Sequence, residues 1–312
     1  MRDSGVPPRI LLTGAGGQVG GALLHTLAPL GEVIAPNRTE LDLADGDSVR
    51  RAMHRWKPQW VVNAGAYTAV DKAESEAELA RAINATSPGV FGEEARASSA
   101  VVVHFSTDYV FDGAKALPYV ETDATRPLNV YGRTKLEGEQ ALAASGAAHL
   151  IFRTSWVYGA TGKNFARSIL RMARERDTLR IVADQYGAPT WSEDLARMTA
   201  HVIGQLEATA VRDGRQLSEA VSTVSGVFHT TGAGETTWFG FAQKVVEEAR
   251  LLEPQVKLAR VEPIPASEYP TPARRPANSR LDCEKLERTF GWRMPDWNES
   301  TRQVVSQLVQ TP

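Results

Sequence analysis

The first part of the chain alternates short apolar runs with longer stretches in which apolar residues recur at helical spacing. RILLTG, residues 9–14, is an apolar run that ends in glycine and predicts a strand. QVGGALLHTLAPLG, residues 18–31, has the spacing of an amphipathic helix and ends at Gly31. EVIAPN, residues 32–37, predicts the next strand. The order is therefore strand, tight turn, helix and strand.

The same alternation continues to residue 107. Helices are predicted over 48–58 and 78–99, and strands over 59–66 and 100–107. Continuously apolar strands that alternate with amphipathic helices indicate a parallel sheet covered by helices on both faces. The predicted fold class is therefore α/β, a doubly wound parallel sheet of the Rossmann type with a smaller mixed α/β substrate-binding domain.

The regularity weakens after HLIFRTSWVYG, residues 149–159. Beyond it we predict a helix over 164–176, a strand over 178–184, an exposed polar patch around 208–222, a buried sheet strand over 227–232, and a proline-rich loop over 253–280. The domain prediction is a cofactor-binding domain over 1–155, with segments of about 190–235 returning to it. Residues 156–312 then form mainly the substrate-binding domain.

The composition of the chain indicates which kinds of binding partner to expect. The chain has 312 residues, 42% of them hydrophobic, and a net charge of −2 without a basic run, which argues against a nucleic acid polymer or a membrane surface as partner. The single cysteine, Cys283, cannot form an internal disulfide, and no Cys/His set is spaced for zinc. The first apolar run is too short for an export signal. We expect a cytoplasmic protein that binds a small polar ligand.

A glycine-rich loop joins the first strand to the first helix. In TGAGGQVGG, Gly14, Gly17 and Gly20 have G-x-x-G-x-x-G spacing. A turn this tight needs positive φ, and side chains would keep a pyrophosphate away from the helix N-terminus, which favours negative charge. The loop therefore predicts a dinucleotide site, with contacts from Gly14, Gly17, Gln18, Val19 and Gly20.

Residues after the second strand indicate which nicotinamide cofactor is bound. Asn37 and Arg38 stand where an acidic residue would bind a ribose 2′-hydroxyl and an arginine would accept a 2′-phosphate. We therefore predict NADPH, with NADH possible in its place. The remaining predicted contacts are Asp42 and Leu43 beside the adenine, and Ala64, Gly65 and Ala66 beside the cofactor ribose.

Candidate catalytic groups follow the strand that ends at residue 107. Tyr131 and Lys135 are one helical turn apart in NVYGRTKLEGEQ, so they share a helix face. A nearby ammonium lowers the pKa of a phenol toward a useful range for acid–base catalysis. Lys135 would also bind the nicotinamide ribose, and Thr107 would donate to the oxygen that takes the tyrosine proton. The predicted catalytic residues are therefore Tyr131, Lys135 and Thr107.

Several longer stretches carry a resemblance to a known family. AYTAVDKAE, RTSWVYG, DQYGAPT and YPTPARRPANSRL, together with the glycine and Tyr-x-x-x-Lys motifs, make residues 9–285 resemble the extended short-chain dehydrogenase/reductases. The resemblance implies that Tyr131 donates a proton and that Thr107, Asp108 and Trp156 contact a dTDP-sugar. It also implies reduction of dTDP-4-dehydro-β-L-rhamnose to dTDP-β-L-rhamnose by NADPH.

One departure and two alternatives accompany this resemblance. Gly21 and Ala22 stand where metal-bridged members of the family have a Trp-Glu pair, so no metal site is predicted and Glu193 remains as an isolated candidate ligand. A monomer or a homodimer is expected. The alternatives are a 4-ketoreductase for another dTDP-deoxysugar and a non-catalytic NADP-binding regulatory subunit of methionine adenosyltransferase. The presence of Thr107, Tyr131 and Lys135 argues against the regulatory subunit.

Overall fold

The structure, a computed structural model, describes residues 7–310. Residues 1–6 belong to the N-terminal stretch for which no export signal was predicted, and they lie outside the described residues. Among the helices of residues 7–310, none is both long and apolar enough to cross a membrane.

Six parallel strands form the central sheet, in the order β10-β5-β4-β3-β1-β2. Smaller two-stranded sheets pair β11 with β8, β12 with β7, and β6 with β9. The strands are β1 (Arg9–Thr13), β2 (Glu32–Ile34), β3 (Trp60–Asn63), β4 (Val101–Thr107), β5 (Ala148–Thr154), β6 (Val157–Tyr158), β7 (Thr178–Val182), β8 (Tyr186–Gly187), β9 (Thr190–Trp191), β10 (Gly226–His229), β11 (Thr236–Thr237) and β12 (Arg260–Ile264).

Helices connect the strands and cover the sheet. They are α1 (Gln18–Leu27), α2 (Gly46–Trp56), α3 (Val70–Ala73), α4 (Ala77–Arg81), α5 (Ser87–Ser98), α6 (Val130–Ala144), α7 (Phe165–Glu175), α8 (Ser192–Asp213), α9 (Leu217–Ser222), α10 (Trp238–Leu252), α11 (Glu284–Phe290) and α12 (Trp297–Gln310). A π-helical turn, Ala82–Thr86, joins α4 to α5, so the helix predicted over 78–99 is continuous.

Successive side chains of β1 point to opposite faces of the sheet. Ile10 and Leu12 pack with α1, α8 and α9, whereas Leu11 packs with α2, α5 and α6. All three side chains are fully buried, and burial of a leucine contributes about 1.5–3 kcal/mol. Both faces are therefore apolar and covered. The predicted α/β class and doubly wound parallel sheet are confirmed.

The strand order places a functional cleft. β1 is flanked by β2 on one side and β3 on the other, so the crossovers reverse direction between β1 and β3. Ligands of open α/β sheets bind outside the carboxyl ends of the strands at such a point. The predicted glycine loop directly follows β1 at this edge.

A separate apolar cluster lies in the second half of the chain. It is formed by α7, α10 and α12 with β7, and Phe241, Val245 and Val304 are fully buried in it. The predicted division at about residue 155 into a cofactor domain and a substrate domain stays a prediction.

Two predictions for the second half were wrong. The proline-rich segment 253–280 contains β12, which runs parallel to β7. Pro263 is tolerated there because β12 is an edge strand of a two-stranded sheet, where a missing N–H breaks no ladder. The patch 208–222 contains the end of α8 and the whole of α9, and it buries Leu217 and Val221 because the apolar residues of α9 fall on one helix face.

Several predicted strands are shorter in the structure, among them the strands predicted over 32–37 and 227–232. β2 ends at Ile34 and not at residue 37, and the strand expected over 227–232 spans Gly226–His229. Asn37 begins a tight turn in which Glu40 N and Leu41 N donate to its carbonyl oxygen, which ends the extended backbone.

Candidate active site

A cleft of about 890 Å³ opens at the carboxyl ends of β1, β3, β4 and β5. It brings together most of the residues singled out in the sequence: Gly14, Gly17, Gln18, Val19, Asn37, Arg38, Asp42, Leu43, Ala64, Gly65, Ala66, Thr107, Asp108, Tyr131, Lys135 and Trp156. Gly20 and Glu193 do not line it. Candidate cofactor, catalytic and substrate residues thus share one space.

The glycine loop is built from close backbone contacts. Gly14 has φ +71°, and a Cβ there would lie 2.6 Å from Gly65 N. A Cβ on Gly20 would lie 2.0 Å from the carbonyl oxygen of Gly14. Gly20 therefore lets α1 pack against the loop, and its predicted cofactor contact stays a prediction.

The N-terminus of α1 points at the cleft with its backbone donors uncapped by side chains. Gly17 is the N-cap residue and makes no side-chain cap hydrogen bond, and the first turn carries no acidic residue. Free N–H groups and the positive end of the helix dipole suit a phosphate group. The loop therefore fits a dinucleotide pyrophosphate.

Arg38 lies at the rim of the cleft. Its side chain is 75% exposed, and its Nε lies 3.8 Å from Asp42 Oδ1, a loose ion pair at a screened surface. Asn37 Oδ1 accepts hydrogen bonds from Thr39 N at 2.9 Å and from Thr39 Oγ1 at 2.6 Å. The Asn37 side chain thus closes the turn and leaves the guanidinium available for an anionic ligand.

Helix α6 carries Tyr131 and Lys135 into the cleft. Asn129 caps the helix by accepting from Gly132 N at 2.8 Å. A Cβ on Gly132 would lie 2.2 Å from the carbonyl oxygen of Tyr109, so the glycine lets the helix approach the segment after β4. Tyr131 and Tyr109 pack edge to face, with ring centroids 5.6 Å apart.

Burial governs the titration of Tyr131 and Lys135. It raises the pKa of the Tyr131 phenol, Asp108 raises it further, and a hydrogen bond with Thr107 opposes the rise. Burial lowers the pKa of Lys135 to about 8, against the opposing charge of Glu139. A phenol with a raised pKa stays protonated at neutral pH, as a proton donor must.

The Lys135 amine is hydrogen-bonded to groups of β4. Lys135 Nζ lies 2.5 Å from the carbonyl oxygen of Phe105 and 3.2 Å from His104 Nε2. Burial is the largest influence on the phenol in this structure, and the lowering of the Tyr131 pKa by Lys135 stays a prediction.

Asp108 and Trp156 lie on the side of the cleft expected to take substrate. Burial raises the pKa of Asp108 to about 6, although hydrogen bonds with Ser279 and Thr107 oppose it. Thr107 Oγ1 donates to Asp108 Oδ1 at 3.0 Å. Trp156 has φ +48°, an uncommon backbone conformation for a residue of this size.

Sequence reasoning missed several lining residues, notably Tyr109, Trp238 and Arg275. Arg275 binds Asp71, with Nη2 3.0 Å from Oδ2, and it stands in the YPTPARRPANSRL stretch that carried part of the resemblance. Trp238 begins α10 and stacks on Trp156. Nothing in the spacing of residues around Trp238 indicated that it would reach the cleft.

Glu193 lies outside the cleft. Its Oε2 is 3.1 Å from His25 Nε2 of α1, an exposed contact between the two helices α8 and α1. Within residues 7–310 no group of three or more His, Cys, Asp or Glu side chains is arranged to hold a metal ion.

Comparison with known proteins decides the family. The family model described as RmlD substrate binding domain matches residues 8–310. The chain belongs to this family.

Relatives of similar length align with nearly the whole of this RmlD-family chain. The dTDP-4-dehydrorhamnose reductase of Burkholderia thailandensis is 48% identical over 303 residues, which cover 96% of this chain and 99% of the relative. The Escherichia coli K12 protein of the same name is 45% identical over 306 residues, 97% of this chain and 98% of the relative.

Solved structures give the same picture of the RmlD-family fold. A dTDP-4-dehydrorhamnose reductase from Clostridium acetobutylicum superposes with a TM-score of 0.86 at 35% identity, over 97% of this chain and 100% of that one. The Bacillus anthracis protein of that name, in complex with NADP, has a TM-score of 0.84 at 30% identity, with the same coverage. A UDP-glucose 4-epimerase from Thermus thermophilus, at 20% identity and a TM-score of 0.75, shares the fold.

Proposed function

We propose that the protein reduces dTDP-4-dehydro-β-L-rhamnose to dTDP-β-L-rhamnose, with NADPH as the reductant. The observation that carries this proposal is the meeting of Thr107, Tyr131 and Lys135 with the glycine loop in one cleft. Relatives named dTDP-4-dehydrorhamnose reductase, identical at 45–48% over nearly the full chain, support the choice of substrate.

The cleft fits NADPH at three places. The uncapped N-terminus of α1 would hold the pyrophosphate, and the missing Cβ at Gly14 lets the loop pack against the backbone of Gly65. Arg38 stands at the rim for the 2′-phosphate, and Lys135 lines the inner end where the nicotinamide ribose would bind. When bound, NADPH supplies a hydride to the carbonyl carbon of the sugar.

Tyr131 and Thr107 act on the carbonyl oxygen. As C4 gains the hydride, O4 becomes an alkoxide, and the protonated phenol of Tyr131 donates its proton there. The hydroxyl of Thr107, which donates to Asp108 Oδ1 in the structure, would turn to donate to the same oxygen and stabilise the developing charge. The products are the C4 alcohol and a tyrosinate, which takes its proton back from solvent.

Two indole rings and a buried carboxyl shape the sugar end of the cleft. Trp156 and Trp238 form an apolar wall, and Asp108 offers a carboxyl whose Oδ2 makes no hydrogen bond among the described residues. We assign Asp108 and Trp156 to the dTDP-sugar, the role implied by the family resemblance.

The two alternative functions predict different experimental results. A 4-ketoreductase for another dTDP-deoxysugar would share the whole site and differ only in the product. A regulatory subunit would bind NADP without turnover, and it needs no buried Tyr131 beside Thr107. A cytoplasmic location, the monomeric or homodimeric state and the domain boundary stay predictions.

NADPH oxidation on dTDP-4-dehydro-6-deoxyglucose, measured with and without a 3,5-epimerase, tests the proposal. We expect turnover only with the epimerase, and dTDP-β-L-rhamnose as the product by NMR. Turnover without the epimerase would identify another 4-ketoreductase. An absence of turnover in both arms, together with capture of a methionine adenosyltransferase, would favour the regulatory subunit.

A further inference from the structure

Helix α6 buries a carboxylate one turn beyond Lys135. Tyr131, Lys135 and Glu139 are spaced four residues apart, so their side chains lie along one side of the helix. Lys135 is 1% exposed and Glu139 is 4% exposed. The reaction proposed above uses Tyr131 and Lys135 but gives Glu139 no role. A glutamate is rarely buried to this extent unless a group of opposite charge pairs with it.

Arg153 of β5 binds this carboxylate through two hydrogen bonds. Its Nε donates to Glu139 Oε1 at 2.9 Å, and its Nη2 donates to Oε2 at 2.6 Å. Arg153 is itself 4% exposed, and its guanidinium lies over the ring of Phe111 at 5.1 Å. The bidentate contact therefore fixes the carboxylate between α6 and β5, where it stays close to Lys135.

The amine of Lys135 has no negative charge among its hydrogen-bond partners in the described chain. Its Nζ lies 2.5 Å from the carbonyl oxygen of Phe105 and 3.2 Å from His104 Nε2, both on β4. Burial lowers the pKa of Lys135 to about 8, and the charge of Glu139 opposes that fall. A carboxylate close to an amine favours the charged form of the amine.

Other charged or titratable groups are contributed by the elements packed against α6. The charge of Asp108 acts on Tyr131, and Glu74 accepts from Val130 N at the first residue of the helix. Both carboxylates thus act at the Tyr131 end of α6, whereas Glu139 lies one turn beyond Lys135. The remaining groups are Arg81 of α4, His104 of β4, His149 and Arg153 of β5, and Tyr109 after β4.

We propose that Glu139 is a positioning residue for the reduction, whose carboxylate, held by Arg153, keeps the Lys135 amine as an ammonium at the floor of the cleft. This inference rests on the proposed function, because the charge of Lys135 matters only if Tyr131 reacts beside it. The proton donation by Tyr131 leaves a tyrosinate, and a neighbouring ammonium stabilises that negative charge. Glu139 does not line the cleft, so it acts through the lysine.

Carbon NMR of the full chain, labelled with ¹³C at the lysine ε-carbon, measures the charge of Lys135 without any need for turnover. The Lys135 signal is assigned by its loss in Lys135→Met. We expect its titration midpoint to fall by about 1 pH unit in Glu139→Gln, because removal of an opposing charge disfavours the ammonium. The matched control is Glu137→Gln on the same helix, since Glu137 pairs with Arg81 at the surface and should leave the midpoint unmoved. An unmoved or raised midpoint in Glu139→Gln would overturn the inference.

A double variant removes both members of the ion pair and so leaves no unpaired buried charge between them. A buried ion pair can often be replaced by apolar residues of similar volume without loss of stability. We therefore expect Glu139→Leu with Arg153→Met to fold. Its Lys135 midpoint should still lie below that of the wild type, because Glu139 is the charged group that opposes the effect of burial on the lysine. If Glu139→Gln does not fold, the double variant decides, and an unmoved midpoint there would contradict the proposal.

The pH profile of NADPH oxidation separates positioning from a merely structural role. The alkaline limb of kcat should move to lower pH in Glu139→Gln and in the double variant, in the direction that NMR gives for the midpoint, and should stay in place in Glu137→Gln. A packing defect would lower kcat at every pH without moving the limb, and that result would refute the assigned role. An inactive wild type would refute the proposed function, while the NMR midpoints would still show whether Glu139 stabilises the ammonium.

Discussion

The indole of Trp156 stacks on the indole of Trp238, with ring centroids 3.7 Å apart and planes 16° from parallel. Trp156 reaches this position with φ +48°, a conformation that costs about 1–3 kcal/mol for a residue other than glycine. A Cβ on Gly187 would lie 2.6 Å from Trp156 Cε2, so β8 closes against the ring from another side. Two indoles from distant parts of the chain thus form one wall of the cleft.

Trp238→Ala should weaken binding of the sugar substrate while the binding of NADPH persists. The stack contributes about 0.5–1.5 kcal/mol beyond the buried area, and its loss also frees the strained Trp156. We expect a fall of about 3-fold to 10-fold or more in kcat/KM for the dTDP-sugar, measured by NADPH oxidation. Trp238→Phe keeps an aromatic face and serves as the control. Equal losses in both variants would point to a general packing defect.

Tyr131→Phe should lower kcat by about 10²-fold to 10⁴-fold, because the phenol proton acts only in the transition state. The affinity for NADPH, measured by fluorescence titration, should stay within a few-fold of the wild type. Tyr186→Phe is the matched control, since this tyrosine is 45% exposed and does not line the cleft. Near-normal turnover of Tyr131→Phe would refute the assigned proton donor.

Arg38→Ala should weaken NADPH binding much more than NADH binding. A hydrogen bond to a charged group contributes about 1.5–3 kcal/mol, so we expect a Kd for NADPH raised about 10-fold to 100-fold. The Kd for NADH should change little, because NADH lacks the 2′-phosphate. Arg171→Ala on the surface of α7 is the control, since its guanidinium pairs with Glu175 away from the cleft. A comparable loss for both cofactors would show that Arg38 does not contact the phosphate.

Local patterns in the sequence predicted the sheet and most of the cleft. Apolar runs such as 9–14 and 100–107 mark strands because both sheet faces are buried, and the glycine spacing reports backbone contacts made within one loop. β12 was missed because Pro263 is a strand breaker except at an edge. Trp238 was missed because only tertiary packing brings α10 to the cleft.

The contacts of side chains were harder to predict than their positions. Helical spacing correctly put Tyr131 and Lys135 on one face of α6 and into one cleft. It could not show that Lys135 Nζ reaches His104 of β4, since a contact between helix and strand depends on how α6 docks on the sheet.

Gly20→Ala and Gly21→Ala should differ in stability although they are neighbours on α1. A Cβ at Gly20 would lie 2.0 Å from the backbone oxygen of Gly14, whereas one at Gly21 would meet its nearest atom, the oxygen of Ala15, at 3.5 Å. Gly20→Ala should cost about 1–3 kcal/mol in the free energy of unfolding and weaken NADPH binding. Gly21→Ala should be neutral or should stabilise by about 0.5–1 kcal/mol. Urea denaturation measures both, and equal stabilities would contradict this description of the loop.

Asp108→Asn should stabilise the protein at alkaline pH while it weakens substrate binding. Burial raises the pKa of Asp108 to about 6, above the value of about 3.9 in an unfolded chain, so the folded state binds this proton more tightly. Stability is therefore lost as the pH rises through this range, by up to about 3 kcal/mol above pH 6. Asparagine can still accept from Thr107 and carries no charge. Thermal unfolding should give a higher Tm than the wild type at pH 8 and a similar Tm at pH 4. An equal gain at both pH values would mean that the buried charge of Asp108 is not the cause.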